Sequence, residues 1–407
     1  MINIIGLGYI GLPTALMFAS HGVQVVGTDI NEMLVAELRE GRITFEEEGM
    51  SALLESAIRG GIEFSTEYRE TDTYIIAVPT PYDTESKKID PCFVTAAVAR
   101  VLEVCPKGAV IVIESTVSPG TIDRFVRPIV REKGLKEGVD VHLVHAPERI
   151  IPGNMVYELL HNARTVGADD ASVGQRIRTL YEAFCQGEIV VTDIRTAEMT
   201  KVVENTFRDI NIAFANELAK ICRSDSMDVY EIIRIANKHP RVRILQPGPG
   251  VGGHCISVDP WFLVGDYPGL ANIILTARNI NDSMPEFVLS RTREIMREEG
   301  ITDVSRVGFY GLTYKENVDD VRESPTLQIN HVRDRNLCGQ PLKIFDPWVS
   351  RDIVDGQYHD FDAFLEDVDM VVIMVGHSHI RENMHRLSGK VVFDTRKICD
   401  LPGTYFL

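Results

Sequence analysis

The chain has 407 residues, 44% hydrophobic and 25% charged, a globular composition too long for one core and suited to two or three domains. Its 42 basic side chains face 59 acidic ones, and the net charge of −17 disfavours a nucleic-acid partner, so an anionic ligand must be drawn in by local cations. No apolar run approaches the ~18–20 residues that span a bilayer. The apolar N-terminus lacks a signal peptide's basic flank, and seven irregularly spaced cysteines argue for free thiols in a reducing, cytoplasmic setting.

Ile2 to Ile5 predicts an apolar strand, followed at once by Gly6, Gly8 and Gly11 of GLGYIG. A helix over Leu12–His21 follows, and then a strand over Val23–Gly27 that leads to Asp29. This is the order of a dinucleotide fingerprint: Gly6 for the tight turn, Gly8 for approach of the pyrophosphate, Gly11 for close helix–strand packing. Asp29 is suited to accept hydrogen bonds from the ribose hydroxyls, and no neighbouring lysine or arginine awaits a 2′-phosphate, so NAD is expected rather than NADP. Further buried strands are predicted over Tyr74–Val78, Ala109–Ile113 and Val141–Val144. Ligands gather at the carboxyl ends of such strands, which places Thr80, Thr116 and Glu148 along the crevice. For any one of them alone, a turn or helix-capping role is the simpler explanation.

From about Arg195 to Ser224 the period changes to helical, with an apolar stripe through Met199, Val202, Val203, Ile210, Phe214, Leu218 and Ile221. Lys201 and Asn205 are four residues apart and share a face. The stretch QPGPGVGGHCISVD, Gln246 to Asp259, is too rich in glycine and proline for helix or strand, and it presents one cysteine, Cys255. A cysteine in a loop that lets backbone approach a ligand, with a carboxylate at Asp259, is suited to covalent catalysis.

After Gly300 the strand pattern returns: RVGFYGL, KIFDPW, VVIMVGH and VVFDT echo the first half in order. The third glycine of the fingerprint is missing, which favours a mononucleotide or nucleotide-sugar over a dinucleotide. Lys315 and Arg322 lie in the loop after the first of these strands, well placed for phosphates, although composition fits a solvated charged loop equally well. His377 and His379 have no acid or cysteine partners at ligand spacing, so no metal is assigned. The expected fold is α/β: two Rossmann-like parallel-sheet domains, 1–194 and 299–407, joined by a central helical domain, 195–298. An NAD site, a cysteine nucleophile and a second nucleotide-type sheet suggest oxidation of a primary alcohol to an acid through a thiohemiacetal and a thioester.

GLGYIGLP, ESTVSPGT, APER, KVVENTFRDINIAFANE, PGPGVGGHCISVDP and GLTYKENVDDVRESP occur in this order along the whole chain. In these motifs the chain resembles the UDP-glucose/GDP-mannose dehydrogenase family. The resemblance implies Cys255 as nucleophile, and Lys201 and Asn205 as oxyanion stabilisers with Lys201 also moving a proton. It implies Asp259 as the group that orients water or lysine, and Glu148 with Thr116 in thioester hydrolysis. Cofactor contacts are expected at Gly8, Tyr9, Ile10, Gly11, Asp29, Thr80, Thr116 and Arg322. Substrate contacts are expected at Glu148, Arg149, Lys201, Asn205, Arg208, Gly252 and Lys315, with Arg241 crossing to a partner's substrate. A homodimer or higher homo-oligomer through the helical domain is implied, with no membrane partner. Within the family, NKHPRVRILQPGPGVGGHCISVDPWFLV looks most like the branch that oxidises UDP-N-acetyl-D-mannosamine at C6, although Arg243 stands where that branch carries asparagine. The rivals are a UDP-N-acetylglucosamine or UDP-glucose 6-dehydrogenase, a two-electron dehydrogenase, and a silent NAD-binding protein. Retention of Cys255, Lys201, Asn205 and Asp259 together argues against the last.

Overall fold

Two apolar, mostly parallel sheets organise the protein. The computed structural model describes residues 1–45, 47–336 and 341–407, with side chains outside 46 and 332–340. The chain forms two compact units, Met1–Glu204 with Trp261–Pro268, and Asn205–Pro260 with Gly269–Leu407. The first division falls inside a single helix, Ile194–Ser224.

The first unit holds eight strands: β1 (Ile2–Ile5), β2 (Val25–Thr28), β3 (Glu63–Ser65), β4 (Thr73–Ile76), β5 (Ala109–Ile113), β6 (Val141–His145), β7 (Arg164–Ala168) and β8 (Ile189–Thr192). Their order is β3-β2-β1-β4-β5-β6-β7-β8. The first six places are those of a dinucleotide-binding sheet, whose order reverses between β1 and β4. Every residue of β1, β2, β4 and β5 is buried, as strands covered on both faces must be. The sheet departs from a purely parallel one at a single junction. β7 runs antiparallel to β6, with Val144 opposite Ala168 and His145 opposite Gly167, and β8 then runs parallel to β7. The core packs Phe18 edge-on against Phe184 at 4.8 Å, among Leu12, Leu16, Ile75 and Val112.

The second unit carries a six-stranded sheet that is parallel throughout: β9 (Val307–Tyr310), β10 (Lys343–Phe345), β11 (Gln357–Tyr358), β12 (Met370–Ile373), β13 (Val391–Asp394) and β14 (Tyr405–Phe406). Its order, β11-β10-β9-β12-β13-β14, repeats the 3-2-1-4-5-6 winding. The helical part comprises the C-terminal portion of Ile194–Ser224 together with Val229–Ala236, Asn272–Asp282 and Met284–Glu298. The fold is therefore α/β, with a sheet near each terminus and a helical middle. The expected apolar stripe on the long helix is divided. Val202 is buried, whereas Val203, Phe214 and Ile221 are 45%, 50% and 51% exposed. Small residues, Ala213, Ala215 and Ala219, supply the buried face in the same stretch.

A chain of polar contacts runs through this helical layer. Fully buried Asp209 accepts a hydrogen bond from Arg278 at 2.6 Å and another from Asn281 at 2.8 Å. Asn281 accepts one from Asn216 at 2.8 Å, and Asn216 accepts the Gly248 N–H at 2.9 Å. Burial pushes the Asp209 carboxyl up, and the Arg278 guanidinium pulls it back. Removing one member of a buried ion pair leaves the other charge uncompensated. We therefore expect Arg278→Leu to destabilise this unit by ~3–5 kcal/mol in denaturant unfolding. Arg278→Leu combined with Asp209→Leu should lose less than the single variant; an equal or larger loss would refute the coupling.

Candidate active site

In the first unit the GLGYIG turn has the backbone its glycines demand. Gly6 has φ +89°, and a Cβ there would stand 2.5 Å from the Ala77 carbonyl oxygen. A Cβ at Gly11 would overlap the Gly6 carbonyl oxygen, whereas one at exposed Gly8 would meet nothing within 4 Å. Gly6 and Gly11 thus permit the turn itself, and Gly8 leaves the outside of the turn open. The Gly11–Ser20 helix that follows has no acidic residue in its first turn, so its free N–H groups suit a phosphate. Asp29, directly after β2, is half-buried; its Oδ2 accepts the Leu7 N–H at 2.8 Å and its Oδ1 the Asn31 N–H at 2.9 Å. Two amides fix this carboxylate and leave lone pairs for ribose hydroxyls. Tyr9 of the turn, next to Ile10, stacks on Phe45 with ring centroids 4.5 Å apart. An open glycine, an acid-free helix start and a braced carboxylate fit NAD.

The strand-end residues stand where the sequence predicts. Thr80 follows β4 and is buried, Thr116 follows β5 and is half-buried, and Glu148 follows β6 and is buried. Ser115 Oγ donates to the Val78 carbonyl at 2.7 Å, joining the loops after β4 and β5. Glu198, on the long helix, accepts the Gly120 N–H at 2.5 Å and the Ile122 N–H at 3.0 Å. The loop carrying Thr116 is thereby tied to the helix that carries Lys201. Burial pushes the Glu198 carboxyl up to about 7, with its two amide donors pulling the other way. Lys201 itself is buried and has no ion-pair partner among the described residues. The Arg149 guanidinium is engaged by the protein, on the Ala163 carbonyl at 2.8 Å, Thr165 Oγ1 at 2.9 Å and Glu204 at 2.7 Å.

Around Glu148 lies a cluster that sequence reasoning missed. Glu148 Oε1 accepts the Arg149 N–H at 2.6 Å, and its Oε2 is paired with Arg164. Arg164 also stands 3.7 Å from Glu114, the residue directly after β5, and Tyr181 donates to Glu114 at 2.9 Å. Burial pushes the Glu114 carboxyl up to about 8; Arg164 opposes the shift and Glu148 adds to it. Glu114 opens the ESTVSPGT motif, and its place directly after an apolar strand is the signal that would have marked it. Arg164 had no such signal, because only the antiparallel turn of β7 brings it to this edge.

In the second unit the cysteine loop lies on the loop after β9. Gly250 and Gly253 have φ +139° and +87°. A Cβ at Gly252 would stand 2.5 Å from the Glu323 carbonyl oxygen, and one at Gly253 would stand 2.8 Å from the Tyr314 ring. The Gly253 N–H donates to the Arg322 carbonyl at 2.9 Å. The two motifs QPGPGVGGHC and YKENVDDVRESP are thus brought together, backbone to backbone. Cys255 is half-buried, and its carbonyl accepts the Val258 and Asp259 N–H groups at 3.1 and 2.8 Å, which starts the Asp259–Asp266 helix. Buried Asp259 accepts a hydrogen bond from Asn205 at 2.6 Å. Arg322 is clamped on Asp320, with Nε–Oδ1 at 2.9 Å and Nη2–Oδ2 at 2.6 Å. Lys315 is half-buried, and its carbonyl accepts from Thr313 at 2.9 Å. Arg208 and Arg241 are exposed. The predicted site residues therefore divide, with Thr80, Thr116, Glu148, Arg149 and Lys201 in the first unit and Asn205, Arg208, Arg241, Gly252, Cys255, Asp259, Lys315 and Arg322 in the second.

The second sheet carries its own counterpart of Asp29. Asp346, after β10, accepts the Leu312 N–H at 2.6 Å on Oδ2 and the Trp348 N–H at 2.8 Å on Oδ1. His377, however, stands 3.2 Å from the same Oδ2, and both residues are fully buried at their side chains. Burial pushes the Asp346 carboxyl up, but His377 and the amides hold it below the usual carboxylate range. This acid is closed to a ribose.

Comparison with known proteins agrees with both sheets. The NAD binding domain of the UDP-glucose/GDP-mannose dehydrogenase family matches residues 1–185, its central domain 195–283 and its UDP binding domain 308–401. The UDP-N-acetyl-D-mannosamine dehydrogenase of Methanocaldococcus jannaschii is 40% identical over 410 residues, covering 98% of this chain and 92% of the relative. The NDP-N-acetyl-D-galactosaminuronic acid dehydrogenase of Ralstonia nicotianae is 39% identical, covering 97% and 95%. Among solved structures, the UDP-N-acetyl-mannosamine dehydrogenase Cap5O from Staphylococcus aureus superposes with a TM-score of 0.88 at 40% identity, covering 100% of this chain and 97% of the other. The braced Asp29, the open Gly8 and these matches lead to one conclusion: the chain belongs to the UDP-glucose/GDP-mannose dehydrogenase family and is an NAD-dependent oxidoreductase.

Proposed function

We propose that this enzyme oxidises UDP-N-acetyl-D-mannosamine at C6 to UDP-N-acetyl-D-mannosaminuronate. The observation that carries the substrate is the 40% identity, along almost the whole chain, to relatives named for that sugar. The second reading is a galacto-configured nucleotide sugar, supported by the 39% identity to the Ralstonia enzyme. UDP-N-acetylglucosamine and UDP-glucose are further competitors. The cysteines are consistent with a cytoplasmic setting, since the six described are all outside disulfides.

Bound NAD accepts hydride, and two are reduced for each alcohol carried to the acid. In our reading the Cys255 thiolate adds to the C6 aldehyde to give a thiohemiacetal, and loss of the second hydride gives a thioester. Asn205 and Lys201 stabilise the oxyanion, and Lys201 also carries a proton. Water, oriented by Asp259 and by Glu148 with Thr116, splits the thioester and supplies the second carboxylate oxygen. Lys315 and Arg241 serve the substrate, with Arg241 provided from a partner, and Arg322 serves the cofactor. The glycine loop that carries Cys255 and the Asn205–Asp259 hydrogen bond are the geometric support for this route.

A homodimer through the helical segment 195–298 accompanies this reading. Phe207, Phe214 and Ile221 recur every seven residues on one helix and are 68%, 50% and 51% exposed. Burying a large apolar side chain contributes about 1.5–3 kcal/mol, so a second copy is the natural cover for this stripe.

Three outcomes test these proposals. Cys255→Ser should retain NAD binding and lose at least ~10³-fold in acid formation, about 4 kcal/mol, while the wild type yields two NADH per sugar. Near-normal acid output from the serine variant, or one NADH per sugar, would refute the thioester route. In a panel of nucleotide sugars, kcat/KM for UDP-N-acetylmannosamine should exceed that for its C2 epimer and for the galacto sugar by at least ~10-fold. A higher value for either rival would reassign the substrate. Phe207→Glu with Phe214→Glu should sediment as a monomer where the wild type is a dimer; an unchanged oligomer would move the interface elsewhere.

A further inference from the structure

The antiparallel strand of the first sheet delivers a charge to the edge where ligands bind. β6 and β7 pair Val144 with Ala168 and His145 with Gly167. Continuing that register three residues beyond β6 sets Glu148 opposite Arg164. The two side chains are ion-paired, with 3% and 4% of their surface exposed. A parallel strand in this position would have sent its first residue to the opposite edge of the sheet. The Arg164 guanidinium lies 4.5 Å from the Tyr181 ring centroid and 5.3 Å from that of Phe184, between aromatic faces that hold a cation. Both Glu148 oxygens are occupied, one by Arg164 and the other by the Arg149 amide, so the carboxylate has a single orientation.

We infer that Arg164 is a positioning residue that holds Glu148 in place for hydrolysis of the thioester. The inference rests on the assignment of Glu148 to that step. A buried ion pair is a poor source of stability, because apolar residues of similar volume usually serve as well or better. Its presence at the carboxyl edge of the sheet, where ligands of such folds bind, points to work on the carboxylate rather than on the fold. Glu114 belongs to the same cluster but sits farther from the guanidinium, at 3.7 Å, and takes its hydrogen bond from Tyr181.

The test is a double-mutant cycle on the full-length enzyme, using Arg164→Gln, Arg164→Lys, Glu148→Gln and the combinations. Displacing a catalytic group by about 1 Å can lower the rate on the order of 10²-fold. Arg164→Gln should therefore reduce steady-state acid release by about that factor. NAD affinity and a rapid burst of two NADH per site should remain, because thioester accumulates when only hydrolysis is slowed. Arg164→Lys should recover part of the loss. Either Arg164 change should add little once Glu148 is already Gln. Multiplicative losses in the combined variant, or loss of the NADH burst with Arg164→Lys, would overturn the positioning role. A wild-type rate in Glu148→Gln would instead remove Glu148 from hydrolysis, and the role of Arg164 with it. If Arg164→Gln does not fold, the cycle is read with Arg164→Lys.

Discussion

Backbone approaching backbone more closely than a side chain permits is the constraint on which both units depend. At Gly6 and Gly11 it folds the turn after β1 back on itself and onto Ala77. At Gly252 it presses the cysteine loop against the carbonyl of Glu323. In each case the missing Cβ positions the next element of the chain: an N-terminal helix turn with free amides in one unit, and the half-buried Cys255 in the other. A methyl group at Gly6 or Gly252 would meet main-chain oxygen, which cannot rotate away. Main-chain packing therefore fixes these positions as glycine.

Buried charge is the second organising element, and it takes similar form in the two units. Arg278 among Asp209, Asn281 and Asn216 braces the base of the cysteine loop through Gly248. Arg164 between Glu148 and Glu114 gathers the acids at the end of β5 and β6. An isolated carboxylate in the interior would shed its charge; Arg278 opposes that for Asp209, and Arg164 for Glu114. The polar groups are thus held by cations from neighbouring elements instead of being replaced by apolar side chains.

The two sheets also show how one architecture takes different ligands. Asp29 and Asp346 follow the second strand of their sheets and accept the same pair of backbone amides, one from the loop after the first strand and one from two residues ahead. Asp29 is left half-open, while Asp346 is capped by His377 and fully buried. Capping Asp346 with an imidazole withdraws the acid that would take the adenosine ribose of a dinucleotide, while leaving the winding intact. This agrees with the match of the second sheet to a UDP binding domain and of the first to an NAD binding domain.

The one-dimensional pattern was sufficient wherever the information is local. Apolar runs marked β1, β5 and β6 to within a residue, and the long helix was bounded to within one residue at its start, because burial on both faces and a 3.6-residue period are written in consecutive side chains. The glycine turns, and the places of Asp29 after its strand and Cys255 in its loop, were legible for the same reason, since each depends on its immediate neighbours. The apolar stripe on the long helix was legible as a stripe, but its exposure at Val203, Phe214 and Ile221 was not, because periodicity does not say which face the rest of the chain covers. Arg164 was invisible in the sequence because its role depends on strand direction, and a reversal of β7 leaves no mark on the residues that compose it. His377 was seen only as a rejected metal ligand, since its partner lies 31 residues away and on another strand's end. Local physics decided which elements form and where the glycine turns fall. Tertiary pairing alone decided which charges meet, because buried electrostatic partners are chosen by the register and direction of strands.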